Sequence, residues 1–413
     1  MPKQAKQGLT PLEPNELSGR LLDLLKQQST ELRDIDVGQH VQRIHANQLG
    51  GPLQFSTQFV MRNKPCIIEG AFEEWPALHK WNAEYITQKA GAAEVTVDIT
   101  PHGRGDSVTN IDLTELLGGQ HSGEKEGAGP PQEQQRKKEM NAELEGVQGC
   151  TQCFVTPCER KMQVGQFFHL LRASRCVPGI VPYVQHQNSS FLEEFGFLLA
   201  DTQPELSWAN EVFGGSPEAV NLWIGDDRSV TSYHKDHYEN MYAVVRGTKI
   251  FHLMPPSDSY RMYQRRFPAA QWQCSGTPVA CESKEQESML QQLGISQLRP
   301  QMLEPRCHVA WTEVDPEPED LEQAAQDFPL YYDEDLPEPL LAEVGPGDLL
   351  YLPACWYHRV SQTCSQSAQG HDYVMAVNFW YDMAFSHSPW VSMKLVEGLA
   401  EVLRLKDEHE FER

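Results

Sequence analysis

The sequence predicts a mainly β chain with flanking helices, on three observations. Short runs rich in Val, Ile, Tyr and Phe recur through the middle of the chain, Gly and Pro turns separate them, and leucines at helical spacing gather at the two ends. At 413 residues the chain can bury a sizeable core, and a large β sandwich or barrel with helices can use most of that length as one unit.

The elements follow in order. Asn15 is a good N-cap candidate, and the ELSGRLLDLLKQQSTEL run behind it brings Leu17, Leu21, Leu24 and Leu25 close to one helical face, so residues 1–60 are expected as an N-terminal helical region. Lys64-Pro-Cys-Ile-Ile-Glu-Gly70 has the character of a short buried strand ending in a turn, and Glu74-Trp-Pro-Ala-Leu of a helix start. Val95, Val97 and Ile99 alternate with polar residues, which predicts a half-buried strand.

Further strands are predicted at 180–185, 220–224, 241–245, 249–254, 349–352 and 374–381. Arg246-Gly247 reads as a tight hairpin and Gly345-Pro-Gly-Asp348 as another turn. Two polar stretches interrupt this central region of 61–385. Residues 118–149 hold almost no aliphatic side chains, and 274–340 form a long acidic insertion between barrel strands; both are poor places for chemistry. Residues 386–413 return to helical spacing, with Val391, Leu395, Leu399 and Leu403 expected to pack.

A formal charge of −24 disfavours nucleic acid, whose binding needs Lys and Arg against phosphates, and suits a basic protein partner. No run of about 18 apolar residues could span a membrane. The first residues lack the apolar core of a signal peptide, which makes cytoplasm the expected compartment, with the nucleus as a second. Ten cysteines are scattered without framework spacing, so no structural disulfide is expected.

The chemistry concentrates at His234-Lys-Asp236. Two residues apart on an extended strand, the imidazole and the carboxylate point to one face. A bare His-x-Asp is common on surfaces. A second histidine from a distant strand would complete the facial triad that leaves metal positions open, and His358 is the obvious third ligand. Lys249 follows inside an otherwise apolar strand with no acidic residue to pair with. A ligand carboxylate would provide the missing anion; an outward-pointing lysine on an edge strand is the alternative.

The segments His234-Lys-Asp-His-Tyr-Glu-Asn240, Gly247-Thr-Lys249, Asp348-Leu-Leu-Tyr-Leu-Pro353, Trp356-Tyr-His358 and Ala376-Val-Asn-Phe-Trp-Tyr-Asp382 together resemble the JmjC oxygenases, and most of all the small JmjC lysyl hydroxylases. The resemblance runs from about Pro65 to Asp382. It implies a double-stranded β-helix, the cupin-like jelly roll. It also implies Fe(II) at His234, Asp236 and His358, 2-oxoglutarate as co-substrate with O2, and Lys249 at the distal carboxylate. Thr231 and Tyr183 would add hydroxyl hydrogen bonds, and Asn240 and Asn378 match amides near the iron-bound end, where satisfied core amides are the even alternative. The implied reaction is C-3 hydroxylation of a lysyl side chain in another protein, with developmentally regulated GTP-binding proteins as the implied substrate class. A homodimer is compatible with the sequence. Where the family often has two consecutive histidines, this chain has His358-Arg359.

Other readings carry less. Cys150-x-x-Cys153 with Cys158 lacks a fourth zinc ligand at finger spacing, His237 should point away from the Asp236 face, and Trp223 and Trp380 fit barrel core. A histone methyl-lysine demethylase would use the same chemistry, but no reader module is evident. A histone-tail peptidase would need a nucleophile dyad or metalloprotease helix, and neither motif occurs. A non-catalytic metal-binding cupin would not need Lys249, Thr231 and Tyr183 beside a complete triad.

Overall fold

The structure is a computed structural model and describes residues 14–112, 150–187, 189–364, 373–386 and 388–410. The polar run 118–149 lies outside the described residues. The larger central sheet runs in the order β1 (Gln42–His45), β2 (Cys66–Glu69), β16 (Leu349–Leu352), β10 (Tyr238–Arg246), β18 (Val374–Asp382) and β8 (Ala219–Gly225). The smaller runs β15 (Leu340–Val344), β11 (Thr248–Met254), β17 (Tyr357–Thr363) and β9 (Thr231–His234). From β8 to β11, and again from β15 to β18, consecutive strands change sheet at each turn except between β11 and β15. Those eight strands form the double-stranded β-helix.

Strand parity explains the hydrophobic runs. Tyr242 and Val244 of β10 point inward to meet Phe251 and Leu253 of β11, while Met241, Ala243 and Val245 point outward into a second core under the helices. A strand covered on both faces reads as continuously apolar. Arg246-Gly247 is accordingly a crossing and not a hairpin: β10 pairs with β16 and β18, whereas β11 pairs with β15 and β17. Gly247 has φ +71°, and a Cβ there would stand 2.7 Å from Val374 Cγ2.

Two smaller sheets flank this barrel. One is β6 (Cys158–Gln163), β3 (Glu94–Thr100) and β7 (Val181–Tyr183); the other is β13 (Leu298–Met302), β12 (Arg265–Cys274), β5 (Cys150–Thr156) and β4 (Ser107–Asp112), with β14 (His308–Trp311) paired to β12. Strand β3 departs from the half-buried expectation. Flanked on both edges and covered on both faces, it buries Thr96, Asp98 and Thr100 as well as Val95, Val97 and Ile99.

Residues 274–340 also differ from their polar composition. Ser283 caps the helix Lys284–Gln292 through Gln286, Asp320 caps Leu321–Asp327, and a few apolar anchors such as Leu290 and Ile295 are buried. At the ends, the first helix begins at Pro14, which places Asn15 inside it and not at its cap, and Leu25, not Leu17 or Leu24, enters the core. The last helix, Ser388–Glu410, packs through Met393, Val396 and Ala400, with Leu403 partly covered, while Val391 and Leu395 stay exposed. Among the described residues, no helix is long and apolar enough to cross a membrane.

Candidate metal and co-substrate site

Strand pairing assembles the triad. His234 ends β9 and lies directly opposite His358 on β17, so two residues far apart in sequence become cross-strand neighbours with ring centroids 4.1 Å apart. Asp236 follows on the segment after β9, which is tied down where Cys355 N–H donates to its carbonyl at 2.9 Å. Its Oδ2 lies 3.7 Å from His234 Nε2 and 3.6 Å from His358 Nε2. Among the described residues these three form the one group able to hold a metal, with all ligand atoms within 4.8 Å of one another.

Each imidazole is prepared by its own backbone. His234 Nδ1 lies 2.9 Å from the Ser232 carbonyl and His358 Nδ1 lies 3.0 Å from the Trp356 carbonyl. A carbonyl only accepts, so Nδ1 carries a proton and Nε2 is the nitrogen left to face a metal. Burial, then the neighbouring His234, push His358 down to about 4 and keep it neutral at pH 7. Two imidazole nitrogens and one carboxylate on one side, with the cavity on the other, fit a divalent iron that keeps open positions.

A cavity of about 330 Å³ extends from the triad. Lys249, Tyr183, Thr231, Asn240 and Asn378 all line it, so the structure brings together every residue singled out as a site candidate. Lys249 is 2% exposed and faces inward; its Nζ donates to Tyr183 Oη at 2.8 Å and lies 5.3 Å from the Tyr183 ring centroid. Among the described residues no carboxylate pairs with it, and burial brings the ammonium down to about 7. A cation held there has room for an anionic guest and none of its own. Gly225 makes the space for Tyr183, since a Cβ would meet the ring at 2.5 Å.

The two amides are both wall and core. Asn378 Nδ2 donates to Asn240 Oδ1 at 3.1 Å, and Asn378 Oδ1 accepts from Trp223 Nε1 at 2.8 Å. Trp223 and Trp380 are likewise packed residues that still reach the cavity. His237 points elsewhere, toward Phe385. Arg359 leaves the metal alone: it turns outward to Asp315 at 3.4 Å and Glu317 at 2.6 Å. The described cysteines are free, and Cys158 approaches Cys274, not a zinc set, with sulfurs 4.0 Å apart.

Some cavity residues are not legible in the sequence pattern. Trp311, inside the stretch that looked unfit for chemistry, lies parallel to the His234 ring at 6.0 Å and donates to Ser232 Oγ at 3.1 Å. Asp98, Asp106, Glu159 and Gln185 also line the same cavity. The one available signal was Asp98 itself, a charge amid Val-Thr-Val-Asp-Ile-Thr.

Jelly roll and facial triad define the class: a metal-binding cupin built like the JmjC oxygenases. Comparison agrees, because the Cupin-like domain family matches residues 52–387. The chain belongs to this cupin-like JmjC family, whose enzymes use Fe(II) and 2-oxoglutarate. It is 34% identical over 358 residues to "Lysine-specific demethylase JMJ32" of Arabidopsis thaliana, covering 86% of this chain and 85% of that protein. It is 31% identical to "JmjC domain-containing protein E" of Dictyostelium discoideum, over 88% of this chain and 90% of the other. To the human "Bifunctional peptidase and (3S)-lysyl hydroxylase JMJD7" it is 32% identical, over 81% and 82%.

Proposed function

We infer that this chain is an Fe(II)- and 2-oxoglutarate-dependent protein hydroxylase whose target is a lysyl side chain, with the C-3 position and a translation-associated GTPase as the specific reading. The observation that carries the co-substrate is Lys249, a buried ammonium at Tyr183 on the wall of the triad's cavity with no carboxylate of its own among the described residues. The hydroxylase named among the relatives supports the lysyl target.

In this reading His234, Asp236 and His358 hold the metal through Nε2, a carboxylate oxygen and Nε2. Iron with 2-oxoglutarate and O2 supplies a two-electron oxidation in which one oxygen atom enters a substrate C–H bond and the other enters succinate, with release of CO2. Lys249, aided by Tyr183 and by Thr231 on the same wall, fixes the far carboxylate and so sets the direction of the keto-acid end. Asn240 and Asn378 orient polar atoms beside it, and Trp311 covers the His234 side.

Demethylation of methyl-lysine is the second reading, favoured by the name of the Arabidopsis relative. Mass spectrometry on lysine and methyl-lysine peptides incubated with enzyme, Fe(II), 2-oxoglutarate and O2 decides between them. A gain of about 16 Da with one succinate per event is expected, whereas a loss of about 14 Da assigns demethylation. His234→Ala and Asp236→Ala should abolish 2-oxoglutarate turnover with the fold intact. Full turnover in either variant overturns the metal assignment.

A further inference from the structure

Strand β3 is the centre of a three-stranded sheet, and its register sets Asp98 beside Glu159 on β6 and Tyr183 on β7. All three side chains line the cavity that contains the triad, and Asp106 joins them from the segment before β4. Asp98 is buried, with 8% of the residue exposed. Gln185 hydrogen-bonds the carboxylate, yet Oδ1 is buried with no partner at all. Burial first, then Glu159 and Asp106, raise this carboxyl to about 7. Among the described residues no Lys or Arg forms an ion pair with Asp98, Asp106 or Glu159, although other carboxylates of the fold, such as Asp226 with Arg228, are paired.

Native structures rarely leave a buried carboxylate oxygen unsatisfied, and three carboxylates around one space repel each other until a cation enters. Water is a poor solution for such a group because it satisfies the oxygen without neutralising the charge. We propose that Asp98, with Glu159 and Asp106, is the subsite that holds the N–H-bearing cationic head of the substrate side chain, a primary ammonium or a guanidinium. This rests on the proposed hydroxylase reading and deepens it. The orphaned Oδ1 requires a hydrogen-bond donor, so a trimethylammonium, which has none, fits the subsite worse than an unmethylated lysine. A chain with formal charge −24 draws such cations toward it from solution.

Asp98 thereby separates from Lys249 in role. Lys249 serves the anion and Asp98 the cation, with Tyr183, the cross-strand neighbour of Asp98 and the hydrogen-bond partner of Lys249, standing between the two roles.

The test uses four small probes on the full chain: Nα-acetyl-lysine methylamide, its norleucine and trimethyl-lysine counterparts, and the arginine analogue. Binding is followed by ligand-observed saturation-transfer NMR, which needs no metal. Mn(II) and 2-oxoglutarate binding are titrated alongside. The lysine or arginine probe should bind at least tenfold more tightly than norleucine or trimethyl-lysine, and whichever of the two basic probes binds better identifies the residue. Asp98→Asn, nearly isosteric and still able to meet Gln185, should lose at least tenfold for the basic probes while Mn(II) and 2-oxoglutarate affinities stay within twofold. Glu159→Gln, at the more exposed strand, should give a smaller loss in the same direction. Equal binding of norleucine and lysine probes, tightest binding of trimethyl-lysine, or an unchanged lysine affinity in both variants overturns the proposal. Failure of Mn(II) and 2-oxoglutarate to bind overturns the hydroxylase reading instead, and the probe ranking still judges the subsite.

Discussion

Lys249 Nζ donates to Tyr183 Oη across 2.8 Å, and both line the cavity that also holds the metal triad. Tyr183 is a weak partner for a charge, and removing the lysine leaves the far carboxylate of 2-oxoglutarate without its counterion. Lys249→Ala should cost about 1.5 to 3 kcal/mol of co-substrate binding, about ten- to hundredfold in affinity. Metal occupancy should be unchanged. Lys249→Arg should rescue only in part, because a planar guanidinium replaces a compact ammonium in a closed space. Titrating 2-oxoglutarate and Mn(II) separately into each variant checks this, and an unaltered 2-oxoglutarate affinity in Lys249→Ala removes the lysine from the co-substrate site.

The same lysine makes a pH prediction. Burial holds it at about 7 without an anion, against an ordinary 10.5. In that window the unfolded chain binds the proton more tightly, so the ligand-free protein should gain stability as pH rises from about 7 toward 10.5. Co-substrate binding runs the other way. A carboxylate favours the ammonium form and raises its pKa, so binding above pH 7 takes up a proton and weakens by up to about tenfold per pH unit. Calorimetry at pH 8 in two buffers of different ionisation heat should show the uptake. Its absence would mean that the empty site already holds a charged lysine.

Gly225 offers a steric test of the same pair. Its added Cβ would stand 2.5 Å from Tyr183 Cδ2 and 3.1 Å from Gln362 Nε2, and Tyr183 sits on a packed strand that gives little. Gly225→Ala should cost about 1 to 3 kcal/mol of stability by overpacking. It should also weaken 2-oxoglutarate more than Tyr183→Phe does, since one displaces the ring and the other deletes only its hydroxyl. Thermal unfolding and co-substrate titration read the two effects, and equal affinities in both variants would leave ring position without a role.

The residues that the sequence exposed and those it concealed differ in physical kind. His234 and Asp236 are legible because strand parity alone puts them on one face, and Lys249 because a charge in an apolar strand demands a reason. His358 had to come from a distant strand: it was legible as the third ligand because a local His and Asp need one more imidazole, and the β9–β17 register shows the pairing that the sequence could not. Asp98 was concealed because alternation in β3 has the same form whether the polar face meets water or a polar cavity; only the covering elements distinguish them. Trp311 was concealed by composition, since an acidic stretch folds here on helix caps and a few buried anchors. The hairpin at Arg246-Gly247 failed for a related reason. A two-residue turn bends the chain equally well within one sheet or from one sheet to the other.

Lys235 stands between two metal ligands and points away from them. Its Nζ lies 2.7 Å from Glu397 on the last helix and 2.8 Å from Tyr357 Oη, with the Tyr357 ring centroid at 4.5 Å. The pair is mostly shielded, at 10% and 17% side-chain exposure, and it fastens the C-terminal helix to the segment that carries His234 and Asp236. Glu397→Ala leaves the ammonium facing Lys394 with no carboxylate between them, and should destabilise by about 3 kcal/mol, the lower end for breaking a buried pair because some solvent reaches it. Restraint on the ligand segment loosens as well, so metal affinity should fall about tenfold, as it does when groups supporting first ligands are lost. Replacing both partners, Lys235→Met with Glu397→Leu, should recover most of the stability, since apolar packing replaces the pair without stranding a charge. Chemical unfolding and Mn(II) titration of the three variants check this. If the single variant melts like the parent, the helix is held by Met393, Val396 and Ala400 alone; if the double variant regains stability without metal affinity, the ion pair positions the ligands as well as the helix.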